Sequence, residues 1–183
     1  DSSTSRGLGD VYKRQALIAV LGLVPKIDLI SGVPITAQSL GIMLCGTVLG
    51  ARRGALAVLL FLALVAAGLP LLSGGRGGIG VFAGPSVGYL IGFPFAALVA
   101  GLVVEHWKAP VALAALSGAV LGGIVVLYAF GIPGMALILG KTLPEAALLA
   151  TPFLAGDLIK AVIAAAVTHS IAQMRPGALL SRT

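Results

Sequence analysis

Asp157 and Lys160 stand in the stretch "FLAGDLIKAV", Phe153 to Val162, inside a run of residues otherwise fit for lipid. Spaced three apart, they share one face of a helix. A charge at the centre of a spanning helix costs about 2.5 to 3.5 kcal/mol. An exposed helical ion pair at this spacing returns only about 0.2 to 0.5 kcal/mol, so other groups must satisfy the two charges. Two uses fit. One is a structural salt bridge near a helix end, with Lys160 reaching toward the headgroups. The other is the polar floor of a ligand site, where Lys160 meets an anion or carbonyl and Asp157 accepts N–H donors. Ionisable residues inside a membrane are functional by default, which favours the second use.

Further polar residues fall near the same end of the chain's helices. "GVPITAQS" puts Thr36 and Gln38 at the start of an apolar segment, where Thr36 is either a plain N-cap or a ligand contact. Tyr89 is either a ligand contact or an interfacial aromatic anchor. Arg76, at the tip of "GRGGIG", either draws an anionic ligand or is simply solvated. That hexapeptide matches G-x-G-x-x-G by accident: no strand precedes it, and apolar helix lies on both sides. Of the two histidines, His106 falls in a loop and His169 lies deep in the last helix, and neither belongs to a metalloprotease, phosphate-loop or nucleophile-elbow motif. Without a nucleotide site the chain cannot drive pumping by itself. No cofactor, metal or nucleic acid is expected, and the single Cys45 permits no intrachain disulfide.

These residues must be carried by an all-α polytopic membrane protein. The 183 residues are 58% hydrophobic and 10% charged, with a mean hydropathy of +1.10. A soluble domain carries about a quarter charged residues. The net charge of +6 suits an anionic cytoplasmic leaflet. Residues 1–15, "DSSTSRGLGDVYKRQ", are polar and uncapped and read as a non-native leader, leaving residues 16–183 as a single membrane domain.

Measured against the roughly 20 residues of a spanning helix, six segments emerge. The first, a truncated one, is Ala16 to Val24, and the second runs from about Thr36 to Leu49. The third covers Gly54 to Leu72, the fourth Ser86 to Val104, the fifth Pro110 to about Phe130, and the sixth Pro152 to about Met174. Six spans place both termini on one side, with Arg52, Arg53, Lys108, Arg175 and Arg182. The other side carries Lys26, Arg76 and Lys141, so the first side is cytoplasmic by the positive-inside tendency. Three outer connections, "PKIDLISGVPIT", "LPLLSGGRGGIGVFAGPS" and "GIPGMALILGKTLPEAALLATP", are rich in turn formers. Irregular backbone near a membrane lines a cavity or is buried, so an outward-opening pocket is expected beside Asp157. Glycines at four-residue spacing (Gly46 and Gly50; Gly84, Gly88 and Gly92; Gly118 and Gly122) predict close helix crossings.

The segments "GVPITAQSLGIMLCGTVLGARRGALAVLLFLALVAAGLPLLSGG", "GPSVGYLIGFPFAALVAGL" and "PFLAGDLIKAV", in this order and spacing, resemble the BioY family, the biotin-specific substrate-binding (S) components of energy-coupling factor (ECF) transporters. The resemblance covers nearly all of Ala16 to Met174. One departure is "GPSVGY" where the family reads closer to "GPTGGY", which leaves direct contacts by Ser86 and Val87 open. The resemblance implies a six-helix S component in the bacterial plasma membrane that captures biotin from outside the cell. It implies that Asp157 and Lys160 belong to the biotin site. It also implies a T component and ATPase subunits as partners, docked through small residues of the first helix such as Ala16 and Ala19; self-association is left open.

Three other readings stand beside it. One is an S component or small permease for another vitamin. Another is an intramembrane enzyme using Asp157 as acid or base, for which the sequence offers no partner except Lys160. The last is a membrane assembly subunit in which the charges only pin the final helix.

Overall fold

The computed structural model describes residues 8–9, 12–13, 36–72 and 74–183. Most of the leader, the expected first helix and the docking residues Ala16 and Ala19 lie outside them. The described chain is all-helical: α1 (Gln38–Leu49), α2 (Ala51–Ala66), α3 (Val87–His106), α4 (Val111–Leu139) and α5 (Leu143–Met174). Among the described residues, α3, α4 and α5 are long and apolar enough to cross a bilayer. Successive helices run antiparallel, so the start of α1, the end of α2, the start of α3, the end of α4 and the start of α5 gather at one end.

The burial pattern is that of a protein in lipid. On α5 the stripe Phe153, Asp157, Ala161, Ala164 and Thr168 is buried, at the three- and four-residue spacing of one helix face. Leu154, Leu158, Ile159, Val162 and Ile163 are exposed on the other side, where lipid tails replace water. Asp157 lies on the buried stripe, and Lys160 flanks it one turn on.

Small residues set the helix crossings at Gly46, Gly88, Gly92, Gly118 and Gly122, as their spacing predicts, whereas Gly84 lies before α3 and meets no other α-helix among the described residues. A Cβ on Gly46 would fall on the Ala97 carbonyl of α3, one on Gly88 on the Phe130 carbonyl of α4, and one on Gly118 on the Ala100 carbonyl. Gly50 does a different job. It is the single residue between α1 and α2, with φ of +92°, a region that favours glycine. The Glu105 carboxylate then accepts the Ala51 N–H at 2.7 Å, satisfying an orphan donor at the start of α2. At that same end Ser181 donates to the Thr47 carbonyl at 2.5 Å, and Arg182 donates to the carbonyls of Trp107 and Ala109.

The third outer connection departs from expectation. Two prolines suggest helix ends near Phe130 and at Pro152, but α4 continues through Pro133 to Leu139, and α5 begins at Leu143. Lipid and neighbouring helices leave the backbone no alternative to helix that keeps its groups paired. At Pro152 the compensation is visible: the Leu148 carbonyl, which loses its usual N–H partner, accepts the Thr151 hydroxyl at 2.7 Å. The connection shrinks to Gly140, Lys141 and Thr142. Gly140 ends α4 in the left-handed conformation, and Thr142 with Glu145 forms a capping box for α5. The other boundaries shift by smaller amounts, the largest being α2, which ends at Ala66 rather than Leu72.

Candidate binding site

A cavity opens at the gathered end, between the start of α1, the 67–86 connection, α3, α4 and α5. Asp157, Lys160, Thr36, Gln38, Tyr89 and Arg76, the six candidate residues from the sequence, all line it. Elements far apart in the chain bring them together. Thr36 and Gln38 enter at the head of α1, Arg76 from the connection, Tyr89 from the first turn of α3, and the charged pair from the middle of α5.

Asp157 is buried, and helices α1, α4 and α5 converge on its carboxylate. Oδ1 receives Lys160 Nζ at 3.1 Å and the Ser39 hydroxyl at 3.3 Å. Oδ2 receives the Tyr128 hydroxyl at 2.5 Å. These bonds supply what a helical ion pair alone could not, since a buried charge must be both paired and hydrogen-bonded. A carboxylate has about four acceptor positions, so one remains for a further donor.

Lys160 is the structural counterpart. Its Nζ donates to the Thr36 carbonyl at 2.5 Å and the Ser39 hydroxyl at 3.0 Å, besides Asp157. Two of these bonds tie α5 to the head of α1, and the third pairs Lys160 with Asp157 on its own helix. Thr36 contributes through its carbonyl, while its hydroxyl accepts the Gln38 N–H at 3.3 Å. Gln38 donates its side-chain amide to the Leu71 carbonyl at 3.1 Å, holding the 67–86 connection against α1.

Tyr89 is no interfacial anchor. It is buried, its ring meets Tyr128 edge-on at 6.2 Å and tilts against Phe153 at 6.0 Å, and among the described residues its hydroxyl has no hydrogen-bond partner. A buried hydroxyl without a partner beside a cavity is a waiting donor or acceptor. Arg76 lines the cavity rather than standing free in solvent, and its backbone carbonyl accepts the Leu72 N–H at 3.0 Å. Ser86 lines the cavity too, whereas Val87 does not. His169 is exposed on α5, away from the site.

Sequence reasoning passed over Ser39, Tyr128 and the apolar wall of Leu72, Leu90, Phe93, Leu127 and Phe153. A signal existed for Tyr128: a lone phenol in an apolar span needs a partner for its hydroxyl. Among the described residues the site offers a buried carboxylate, one hydroxyl without a partner, Arg76 in its lining and an apolar wall. Such a lining can accept N–H donors at its polar end and apolar atoms along its wall.

The model described as the BioY family matches residues 5–177. "Biotin transporter BioY" of Rhodobacter capsulatus is 56% identical over 177 residues, covering 91% of this chain and 93% of that protein. "Biotin transporter BioY" of Rhizobium etli is 49% identical over 163 residues, covering 85% and 87%. The crystal structure of the S-component for biotin from an ECF-type ABC transporter matches with a TM-score of 0.90 at 29% identity, covering 95% of this chain and 94% of that one.

Proposed function

The chain belongs to the BioY family, and on that premise we propose that it captures biotin as the substrate-binding subunit of an ECF-type transporter. The observation that carries the reading is the ion pair of buried Asp157 and half-buried Lys160, fixed at 3.1 Å on the wall of a mostly apolar cavity. Biotin brings ureido N–H donors and a carbonyl at one end, a carboxylate at the other, and apolar atoms between. Asp157 is the acceptor for a donor group, Tyr89 offers its free hydroxyl, and the wall takes the apolar body. Thr36, Gln38 and Ser39 hold the head of α1 in place, and Arg76 is the cation at the mouth.

In this reading the cavity faces outward from the bacterial plasma membrane, with both termini cytoplasmic. The basic residues Arg52, Arg53, Lys108, Arg175 and Arg182 at the far end support that orientation. Uptake is driven by a T component and ATPase subunits supplied by other chains. Accumulation of radiolabelled biotin by a biotin-auxotrophic bacterium tests the function. Expression of this chain with a T component and ATPases is expected to raise nanomolar uptake, and unlabelled biotin in excess is expected to abolish it. Uptake no greater than in cells without the chain would reject the reading.

A further inference from the structure

Tyr128 holds the carboxylate from the side that neither Lys160 nor Ser39 reaches. We propose that Tyr128 is a positioning residue for the ligand site: its hydroxyl on Oδ2 fixes the plane of the Asp157 carboxylate, and so aims the acceptor position left for biotin. The inference rests on the biotin reading above. Both Lys160 and Ser39 meet the same oxygen, Oδ1. Held at one oxygen, a carboxylate still turns about its last side-chain torsion, which is soft and roughly two-fold. The third bond, at 2.5 Å to Oδ2 from a different helix, removes that freedom. Charge-assisted O–H bonds of this kind are short and strong.

The backbone of α4 is shaped for this contact. Residues Leu121–Val126 form a π-helical stretch, and Tyr128 comes two residues after it. A π turn adds one residue, which rotates the remainder of the helix by about 100° relative to an unbroken α-helix. Gly122 and Gly123 lie in that wider turn. A Cβ on Gly122 would strike the Ala96 carbonyl, and one on Gly123 the Met43 side chain, so the two glycines let the turn sit against α3 and α1. Before the turn, α4 presents Ala114, Ala115, Gly118 and Ala119 to its neighbours, and after it the inward face carries Leu127 and the Tyr128 hydroxyl. Beyond the hydroxyl, the Tyr128 ring borders an apolar groove with Ile132, Pro133, Leu143 and Pro144.

The test uses purified full-length protein and Tyr128→Phe, which removes one oxygen and keeps the ring. Two quantities are read: biotin affinity by titration calorimetry, and the infrared carboxylate band of Asp157. That band is isolated by subtracting the spectrum of Asp157→Asn made in the same background. The expected result is biotin binding weakened about 10- to 100-fold, together with a shifted Asp157 band. Affinity equal to the parent protein's would overturn the inference. So would weakened binding with the Asp157 band unmoved, since Tyr128 would then act through packing alone. Failure of the parent protein to bind biotin would remove the biotin reading and this inference with it, and the band would still report whether the Tyr128–Asp157 bond forms.

Discussion

Lys160 Nζ lies 3.1 Å from Asp157 Oδ1, and the same ammonium also reaches the Thr36 carbonyl at the head of another helix. The lysine is therefore a brace as well as a counter-charge. Lys160→Ala should leave Asp157 buried beside an unfilled space and lower stability by up to about 3 kcal/mol, the lower end for breaking a buried pair. Replacing both charges together, as Asp157→Asn with Lys160→Met, should recover much of that stability without recovering biotin binding. Thermal melting with and without biotin separates the two effects. A double variant that melts no higher than Lys160→Ala would assign the loss to the missing brace on Thr36 rather than to the unpaired Asp157 carboxylate.

Tyr89 makes the opposite prediction. Its buried hydroxyl has no partner among the described residues, so the empty protein has little to lose from Tyr89→Phe. Melting of the unliganded protein should stay unchanged or rise slightly. Biotin affinity should fall about 5-fold, the equivalent of one hydrogen bond of about 1 kcal/mol. Calorimetry on the variant checks this, and unchanged affinity would show that the hydroxyl does not meet the ligand.

The sequence foretold the site's charged centre better than its supports. Asp157 and Lys160 stand out because charge in a lipid-facing run has to be explained. Thr36, Gln38, Tyr89 and Arg76 were legible as polar residues at the right ends of apolar segments, and all line the cavity. Ser39 stayed hidden because a serine in a helix has many bland uses, and Tyr128 because its partner is 29 residues away on another helix. The elements were legible as apolar runs, but Pro133 and Pro152 misled. Proline ends helices in water more readily than in a membrane, where neighbouring groups such as the Thr151 hydroxyl repair the ladder. The true start of α5 was written plainly, as the capping pattern "TLPE", Thr142 to Glu145.

That repair can be tested. Thr151→Val keeps the shape of the side chain and removes the hydroxyl that serves the Leu148 carbonyl. Stability should fall by about 1 kcal/mol. The loss should be much smaller when Pro152→Ala is present, because the restored N–H takes over the carbonyl. Melting of the two single variants and the double variant measures the coupling, and purely additive effects would contradict this account of the helix.

At the opposite end of the bundle, the Thr47 and Thr168 hydroxyls meet at 2.9 Å, both fully buried. Thr47 lies nine residues along α1 from Gln38, about 14 Å from the ligand end. Thr47→Val should cost about 1 kcal/mol of stability and leave biotin affinity within about twofold. Paired melting and calorimetry check the separation. A large change in affinity would mean that the two ends of α1 are coupled.

The central claim is that the Asp157 carboxylate is the polar centre of a biotin site. Titration calorimetry of purified protein with biotin, beside Asp157→Asn, tests it most directly. The account predicts stoichiometric binding by the parent protein and affinity at least about 100-fold weaker in Asp157→Asn, the loss expected when a charged acceptor is removed, with that variant still folded. Equal affinity in a folded Asp157→Asn protein would contradict the claim and leave the ion pair as structure alone.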